Sequence, residues 1–157
     1  MKAICEQNNA SITFMAKPNI VKAGSSCHLH LSVYDKKGEN IFVGNDYKLT
    51  DTLSCSNNLL YFLGGIMKFS LETFILFAPT VNSYKRYKSF SWAPTNLDSW
   101  SYDNRTSPFR ICGSGKNLRI EYRIPGGDAN QYLSYSAVIA AGLKGLKEKI
   151  RPPELFK

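Results

Sequence analysis

The sequence predicts an α+β fold in which helices pack outside a sheet of antiparallel strands. Two segments, 27–35 (CHLHLSVYD) and 118–124 (LRIEYRI), alternate polar and apolar residues as half-buried strands do. Two others, 57–78 and 131–149, are apolar over helical lengths. With 157 residues, of which 43% are hydrophobic, the chain is long enough for one domain with its own core.

Shorter patterns predict the remaining strands, at 12–16 (ITFMA), 40–44 (NIFVG) and 109–112 (FRIC). Residues 35–39 (DKKGE) are typical of a hairpin turn between the histidine-containing strand and the strand at 40–44.

The first long helix follows several candidate N-cap residues between 49 and 58 and is expected to end before Pro79. Lys68 and Glu72 near its middle favour a buried helix or helix pair over a membrane span. Residues 79–117 are rich in loops, aromatic residues and arginines. A loop-rich segment of this length is usually functional or disordered, and the aromatic content argues against disorder.

The charge of the chain indicates an anionic partner. Lys and Arg number 20 against 12 Asp and Glu, a net charge of +8, which suits nucleic acid, a membrane surface or a phosphorylated small molecule. The cysteines are scattered without a CxxC pair, as expected for reduced thiols of a cytosolic protein. The first residues, MKAICEQNNASITF, lack the apolar core of a signal peptide, so a cytoplasmic location is expected.

Both histidines of the chain lie on one predicted strand. In an extended segment His28, His30 and Ser32 share one face, while Leu29 and Leu31 share the other. The pattern suits either a half-exposed strand with two surface histidines or a metal or phosphate site that takes further ligands from elsewhere in the chain.

The strand at 118–124 places Glu121 between Arg119 and Arg123 on one face. Such a row is often only a set of ion pairs. Beside the histidine strand, however, a carboxylate and an imidazole suit Mg²⁺ or Mn²⁺ bridging phosphates, and the arginines suit phosphate or carboxylate directly. Lys116 lies in a short glycine loop, GSGKN, that lacks the spacing of a P-loop.

Six segments resemble, in the same order, motifs of the glutamine synthetase family: TFMAKP, GSSCHLHLS, APTVNSYKR, DNRTSPFRI, RIEYRIPGGDANQYL and AAGLKGLKEKI. The resemblance extends from about residue 10 to residue 150. It implies the family's catalytic-domain fold, with strands that line the active site. It also implies an ATP-dependent ligase that joins glutamate to ammonia or an amine through γ-glutamyl phosphate. A ring-shaped homo-oligomer with no nucleic-acid or membrane partner is expected when the protein is full length.

The resemblance also assigns roles to single residues. His28 and Glu121 are expected to hold the Mg²⁺ or Mn²⁺ ion that bridges the ATP phosphates. The expected ATP contacts are His30, Ser32, Arg105, Arg110, Lys116 and Arg119. The expected glutamate contacts are Gly24, Arg86, Arg105 and Arg123. Arg105 is the expected catalytic residue because it serves both glutamate and the transferring phosphoryl group.

Two positions depart from ammonia-using members of the family. Trp92 replaces a glutamate that closes the site and helps to deprotonate ammonium, and Ala23 replaces an asparagine. A tryptophan cannot accept a proton but can pack on the carbon skeleton of an amine. These departures favour the relatives that use larger amines, including γ-glutamylpolyamine synthetases, and leave open a catalytically inactive structural protein.

The resemblance identifies residues 1–157 as part of the catalytic domain. It places the N-terminal β domain, the other metal-binding carboxylates and the C-terminal part outside this segment, which is expected to be inactive alone. A ligase site requires Arg86, Arg105, Arg110 and Arg123 to converge on one concave surface without pairing with surface acids. A basic nucleic-acid-binding module would instead spread them along an open face.

Overall fold

The computed structural model describes residues 1–88, 93–94 and 97–155. In chain order the helices and strands are α1 (Lys2–Gln7), β1 (Leu29–Leu31), β2 (Tyr47–Lys48), β3 (Ser54–Cys55), α2 (Asn57–Phe69), β4 (Trp100–Tyr102), β5 (Phe109–Cys112), β6 (Arg119–Tyr122) and α3 (Gln131–Glu148). Short 3-10 helices occupy Phe74–Leu76, Ser83–Tyr87 and Gly115–Asn117. The predicted α+β class is confirmed.

The main sheet has the strand order β1-β6-β5-β4. The pairs β1–β6 and β6–β5 are antiparallel, as predicted, whereas β4 pairs with β5 in parallel. Parallel neighbours usually need a crossover of a dozen or more residues, but here residues 103–108 suffice. Asp103 reverses the chain directly after β4 by adopting a left-handed conformation with φ of 50°.

The two faces of the sheet differ as the alternation predicted. Ile120 and Tyr122 of β6 are fully buried, and the Tyr122 ring stacks on Phe109 of β5 at 4.8 Å. On the opposite face His30 lies across from Glu121 in the β1–β6 register. A two-residue period therefore sends the apolar side chains into the core and leaves the polar row on the face that forms the site.

Helices α2 and α3 cross on the apolar side. Ser56 caps α2 by accepting a hydrogen bond from the Leu59 amide at 3.3 Å, and Asn130 caps α3 by accepting one from the Leu133 amide at 3.2 Å. The predicted start of α3 is confirmed and its end differs by one residue. Among the described residues, no helix combines the length and the apolar character that crossing a membrane would require.

Three predicted elements differ from the structure. Residues 12–16 form no strand, and Phe14 there is 54% exposed. Residues 40–44 form no strand, and Asn40 makes only an isolated bridge with Tyr34. The Asn40 side chain instead accepts a hydrogen bond from the Phe42 amide and donates one to the Leu118 carbonyl. The first long helix ends at Phe69, and only a 3-10 turn follows before Pro79.

Candidate active site

A cavity of about 660 Å³ opens beside the polar face of the sheet. Its lining comes from the chain before β1, the 3-10 helix at 83–87, the loop after β4, and strands β5 and β6. The lining residues are Gly24, Ser26, His28, Arg86, Ala93, Pro94, Arg105, Thr106, Arg110, Glu121 and Arg123. All four arginines that were expected to converge therefore lie on one concave surface.

Glu121 is the centre of the polar cluster. Its Oε1 lies 3.1 Å from His28 Nδ1 and 3.0 Å from Arg123 Nη1, and its Oε2 lies 2.7 Å from Arg110 Nη1. His30 Nε2 is 3.8 Å from the same Oε1. The predicted proximity of His28 and Glu121 is thus present, because β1 and β6 are neighbouring strands.

The charges in this cluster fix its protonation. Burial alone would raise the pKa of Glu121, but the Arg110 hydrogen bond and the Arg123 charge hold it below its ordinary value. Burial and the charge of Arg123 lower the pKa of His28 despite the opposing effect of Glu121. At neutral pH the pair is therefore an ionised carboxylate beside a neutral imidazole, the protonation states in which both groups bind metals.

Arg110 corrects one expectation, since it does pair with a surface acid. Its Nε donates to Asp103 Oδ1 at 3.1 Å, its Nη2 donates to the same oxygen, and its Nη1 donates to Glu121. Burial opposes the charged form, but these two carboxylates raise the pKa of Arg110. The left-handed turn at Asp103 brings its carboxylate to the arginine, so each guanidinium nitrogen already has an acceptor.

Arg105 differs from Arg110 in having no partner among the described residues. It is exposed in the loop 103–108 and makes no hydrogen bond or ion pair with the part of the chain that the structure describes. Because it also lines the cavity, it is a cation available to an anionic ligand.

Arg86 reaches the cavity from the 3-10 helix at 83–87 and is 2% exposed. Asp128 holds the start of this helix by accepting hydrogen bonds from Ser83 Oγ at 2.6 Å and Thr80 Oγ1 at 3.1 Å. Near the other end of the helix, Arg86 Nη1 donates to the Ile124 carbonyl at 2.9 Å. The arginine is therefore fixed by contacts on both sides of the helix.

Gly24 is required by the closeness of its neighbours. A Cβ at this position would lie 2.5 Å from the Ala16 carbonyl oxygen and 3.3 Å from Arg86 Cγ. The same Cβ would lie 3.1 Å from Cδ of Lys17, a lysine that is 2% exposed. Lys17 was not predicted as a site residue, although it stands in the TFMAKP motif.

The residues expected to contact ATP lie partly outside the cavity. Arg119 Nε donates to His30 Nδ1 at 3.2 Å, so these two meet on the exposed end of the polar row. Lys116 lies in the 3-10 turn 115–117, whose position is fixed by the Asn40 side chain bonding the Lys116 carbonyl at 3.2 Å. Ser32 is exposed. Their roles toward ATP stay predictions.

Trp92 lies outside the described residues. Ala93 and Pro94, which follow it in the chain, line the cavity. Sequence patterns also missed Ser26, Thr106 and Tyr87. Ser26 and Thr106 belong to motifs recognised here, but only their placement in the cavity wall distinguishes them from other hydroxyls.

The His28–Glu121 pair fits Mg²⁺ or Mn²⁺ as part of a coordination shell. Such ions prefer oxygen ligands and accept imidazole in mixed sites. Within residues 1–88, 93–94 and 97–155, no three His, Cys, Asp or Glu side chains come together to hold a metal. The described residues would therefore supply two ligands, and a complete shell would need others from water, substrate or additional protein.

Comparison with known proteins places this arrangement in context. The family model described as the glutamine synthetase catalytic domain matches residues 1–157. The chain is 41% identical over 153 residues to gamma-glutamylethanolamide synthetase GlnA4 of Streptomyces coelicolor, covering 98% of this chain and 31% of that protein. It is also 41% identical over 153 residues to a glutamine synthetase of Pyrococcus horikoshii, covering 97% and 32%.

A solved structure, described as apo GmaS without ligand, superposes with a TM-score of 0.81 at 34% identity. The match covers 99% of this chain and 34% of that one. The chain thus spans about a third of the length of the relatives that it matches.

Proposed function

Because the chain belongs to the glutamine synthetase family, we propose that the full-length protein is an ATP-dependent ligase that joins glutamate to an amine. The observation that carries this proposal is the convergence of Arg86, Arg105, Arg123 and the His28–Glu121 pair on one cavity. Phosphoryl transfer depends mainly on positioning and on cations that stabilise developing negative charge, and this cavity supplies both.

The proposed reaction has two steps. An oxygen of the glutamate γ-carboxylate attacks the γ-phosphorus of ATP and ADP leaves, which gives γ-glutamyl phosphate. The amine nitrogen then attacks the acyl carbon, inorganic phosphate leaves, and the nitrogen loses a proton. A carboxylate oxygen is a poor leaving group. Phosphorylation turns it into part of a phosphate group, which leaves readily.

The cavity residues have distinct proposed roles. Arg86 and Arg123 hold the glutamate carboxylates, with Gly24 allowing close approach of the backbone. Arg105, the exposed arginine without a partner among the described residues, stabilises the transferring phosphoryl group. A divalent ion bound with the help of His28 and Glu121 would neutralise charge on the ATP phosphates.

We further propose that the acceptor is an organic amine. Trp92 offers an apolar and π-rich surface in place of a carboxylate, and each CH₂ group buried against such a surface contributes about 0.8 kcal/mol. Three methylenes would therefore favour a diamine over ammonium by about 2.4 kcal/mol, or roughly fiftyfold. Similarity to a protein named gamma-glutamylethanolamide synthetase supports this class of acceptor.

The test is an ATP-consumption assay on the full-length protein with glutamate and either ammonium, ethanolamine or a series of diamines. Turnover is expected to rise with the carbon skeleton of the amine. Trp92→Glu should shift preference toward ammonium, whereas the matched control Trp92→Phe should retain the preference for amines. Turnover with ammonium alone would overturn the amine proposal, and no glutamate-dependent turnover with any acceptor would favour the inactive structural protein.

The full-length protein is also proposed to act as a homo-oligomer in the cytoplasm. Its four cysteines are unpaired in the structure, which suits a reducing compartment. Native mass measurement on the full-length protein tests the assembly, and a monomer at assay concentration would contradict it.

A further inference from the structure

Tyr87 forms a closed set of contacts with Arg86 and the end of β6. The Tyr87 hydroxyl donates to the Ile124 carbonyl at 2.6 Å and accepts from Arg86 Nη1 at 3.2 Å. Arg86 Nη1 also donates to the same carbonyl at 2.9 Å. The hydroxyl and carbonyl oxygens are therefore both acceptors for Nη1 inside this triangle.

The rest of the Arg86 guanidinium remains available. Its Nε and Nη2 make no hydrogen bond with the residues that the structure describes, and Arg86 lines the cavity. These two nitrogens form one edge of the planar group, and that edge matches the two oxygens of a carboxylate. Fixing Nη1 thus determines where the free edge points.

The hydroxyl of Tyr87 keeps its proton at any physiological pH. Burial raises the pKa of Tyr87 to about 12, against a smaller opposing effect of Arg86. The group therefore remains a donor to Ile124 and leaves a lone pair for Arg86. The ring adds a second contact, since the Arg86 Cζ lies 5.3 Å from its centroid.

We propose that Tyr87 is a positioning residue that orients Arg86 for a substrate carboxylate. It does so by sharing the Ile124 carbonyl with Arg86, which ties the 3-10 helix to the residue next to Arg123. The inference rests on the proposed function for the identity of the carboxylate as that of glutamate. It adds a residue outside the cavity wall that controls affinity for one substrate only.

The hydroxyl can be removed with little effect on the fold. In Tyr87→Phe the Ile124 carbonyl keeps its bond from Arg86, so no buried acceptor is left unsatisfied. The ring also keeps its edge contact with Phe74 at 5.2 Å. The main loss is one of the two acceptors that hold Arg86 Nη1.

The test is steady-state kinetics of full-length Tyr87→Phe. We expect the KM for glutamate to rise about three- to tenfold, the range for one lost hydrogen bond, with the KM for ATP unchanged. Tyr84→Phe is the matched control. Tyr84 lies on the same 3-10 helix, its ring also contacts Phe74, and its hydroxyl has no hydrogen bond with a described residue.

A double-mutant comparison separates positioning from a general structural effect. If Tyr87 acts through Arg86, Tyr87→Phe should change glutamate KM little in an Arg86→Ala background. An equal effect in both backgrounds, or an unchanged KM in the single variant, would overturn the proposal.

A crystal structure of Tyr87→Phe gives a readout independent of activity. The proposal expects the Arg86 guanidinium to be displaced or to occupy several positions, and an unchanged guanidinium would overturn it. If the unmodified protein shows no glutamate-dependent turnover, the proposed function fails, while this structure still decides whether Tyr87 orients Arg86.

Discussion

Glu121 lies at the centre of a cluster of basic side chains, of which Arg110 also pairs with Asp103. It contacts Arg110, Arg123 and His28 at 2.7, 3.0 and 3.1 Å while being only 4% exposed. Desolvation of a carboxylate is costly, and these partners more than offset it because the pKa of Glu121 is lowered overall. The carboxylates of Glu121 and Asp103 cannot neutralise all four arginines that line the cavity, so the cavity stays suited to anionic ligands.

Arg123 provides the most direct test of a residue role. We expect Arg123→Ala in the full-length protein to lower kcat/KM for glutamate by about 10- to 150-fold, the loss of a charge-assisted hydrogen bond worth about 1.5–3 kcal/mol. The remote variant Arg151→Ala, which removes an exposed arginine bonded to Asn57 Oδ1, serves as the charge-matched control. Equal kinetics for both variants would show that Arg123 serves only the ion pairs of the sheet.

Cys55 should make stability fall at alkaline pH. Burial raises its pKa from 9.0 to about 12, and the side chain is fully buried. Because the folded pKa lies above the unfolded one, its contribution is present below about pH 9 and is lost as pH rises toward 12. Between pH 8 and pH 10 this amounts to roughly 1 kcal/mol.

The measurement is the urea midpoint at these two pH values. The buried tyrosines begin to contribute near pH 10, where they ionise in the unfolded chain, and they do so equally in the variant and in the unmodified protein. Cys55→Ala should lower stability at both values but reduce its change with pH, whereas Cys5→Ala in α1 should leave that change as it was. An identical pH dependence in Cys55→Ala and the unmodified protein would exclude this thiol as the cause.

At the scale of elements, the crossing of α2 and α3 depends on two glycines. A Cβ at Gly65 would lie 2.2 Å from the Ala141 carbonyl oxygen, and one at Gly145 would lie 2.2 Å from the Tyr61 carbonyl oxygen. Both obstacles are backbone atoms, which cannot rotate away. The helices therefore approach at a distance that only glycine allows.

Gly65→Ala is expected to destabilise the protein by about 1–3 kcal/mol through overpacking. Helix propensity alone would give the opposite sign, a gain of about 1 kcal/mol. The sign measured by denaturant unfolding therefore decides between the two effects. Ser136→Ala on the exposed side of α3 is the control and should change stability little; a stabilised Gly65→Ala variant would mean that the helices are not held this closely.

At the scale of the whole molecule, the net charge of +8 is partly concentrated in the cavity. Arg86, Arg105 and Arg123 stand there close together, and their mutual repulsion opposes folding. Binding of the proposed anionic substrates would relieve that repulsion, so ligand binding and stability would be linked.

We therefore expect ATP with glutamate to raise the melting temperature of the full-length protein in a concentration-dependent way. A ligand at one hundred times its Kd stabilises by about 2.7 kcal/mol. Potassium chloride at equal ionic strength controls for general screening. Arg105→Ala should reduce the shift and Arg151→Ala should retain it, and equal shifts with salt and substrates would contradict specific binding.

Much of the fold was accessible to sequence patterns because they encode local periodicity. The alternation around Glu121 correctly predicted which side of β6 faces the hydrophobic core, and the apolar segment 131–149 predicted α3, whose Asn130 cap the structure then showed. The strand predicted at 40–44 was wrong. There the Asn40 side chain bonds the Phe42 amide and the Leu118 carbonyl, backbone groups that a neighbouring strand would otherwise pair. The sequence pattern also predicted too long a helix α2, because apolar residues continue past Phe69 although the helix ends there.

The sequence by itself determined the family, the polar and apolar faces of the strands, and the set of residues available for the site. Only the tertiary structure decided how those residues pair. Asp103 captures Arg110 because the chain reverses after β4, and Tyr87 meets the Ile124 carbonyl, 37 positions away, because the 3-10 helix packs against the end of β6. Such contacts depend on strand order and on the path of loops, which no local period in a sequence specifies.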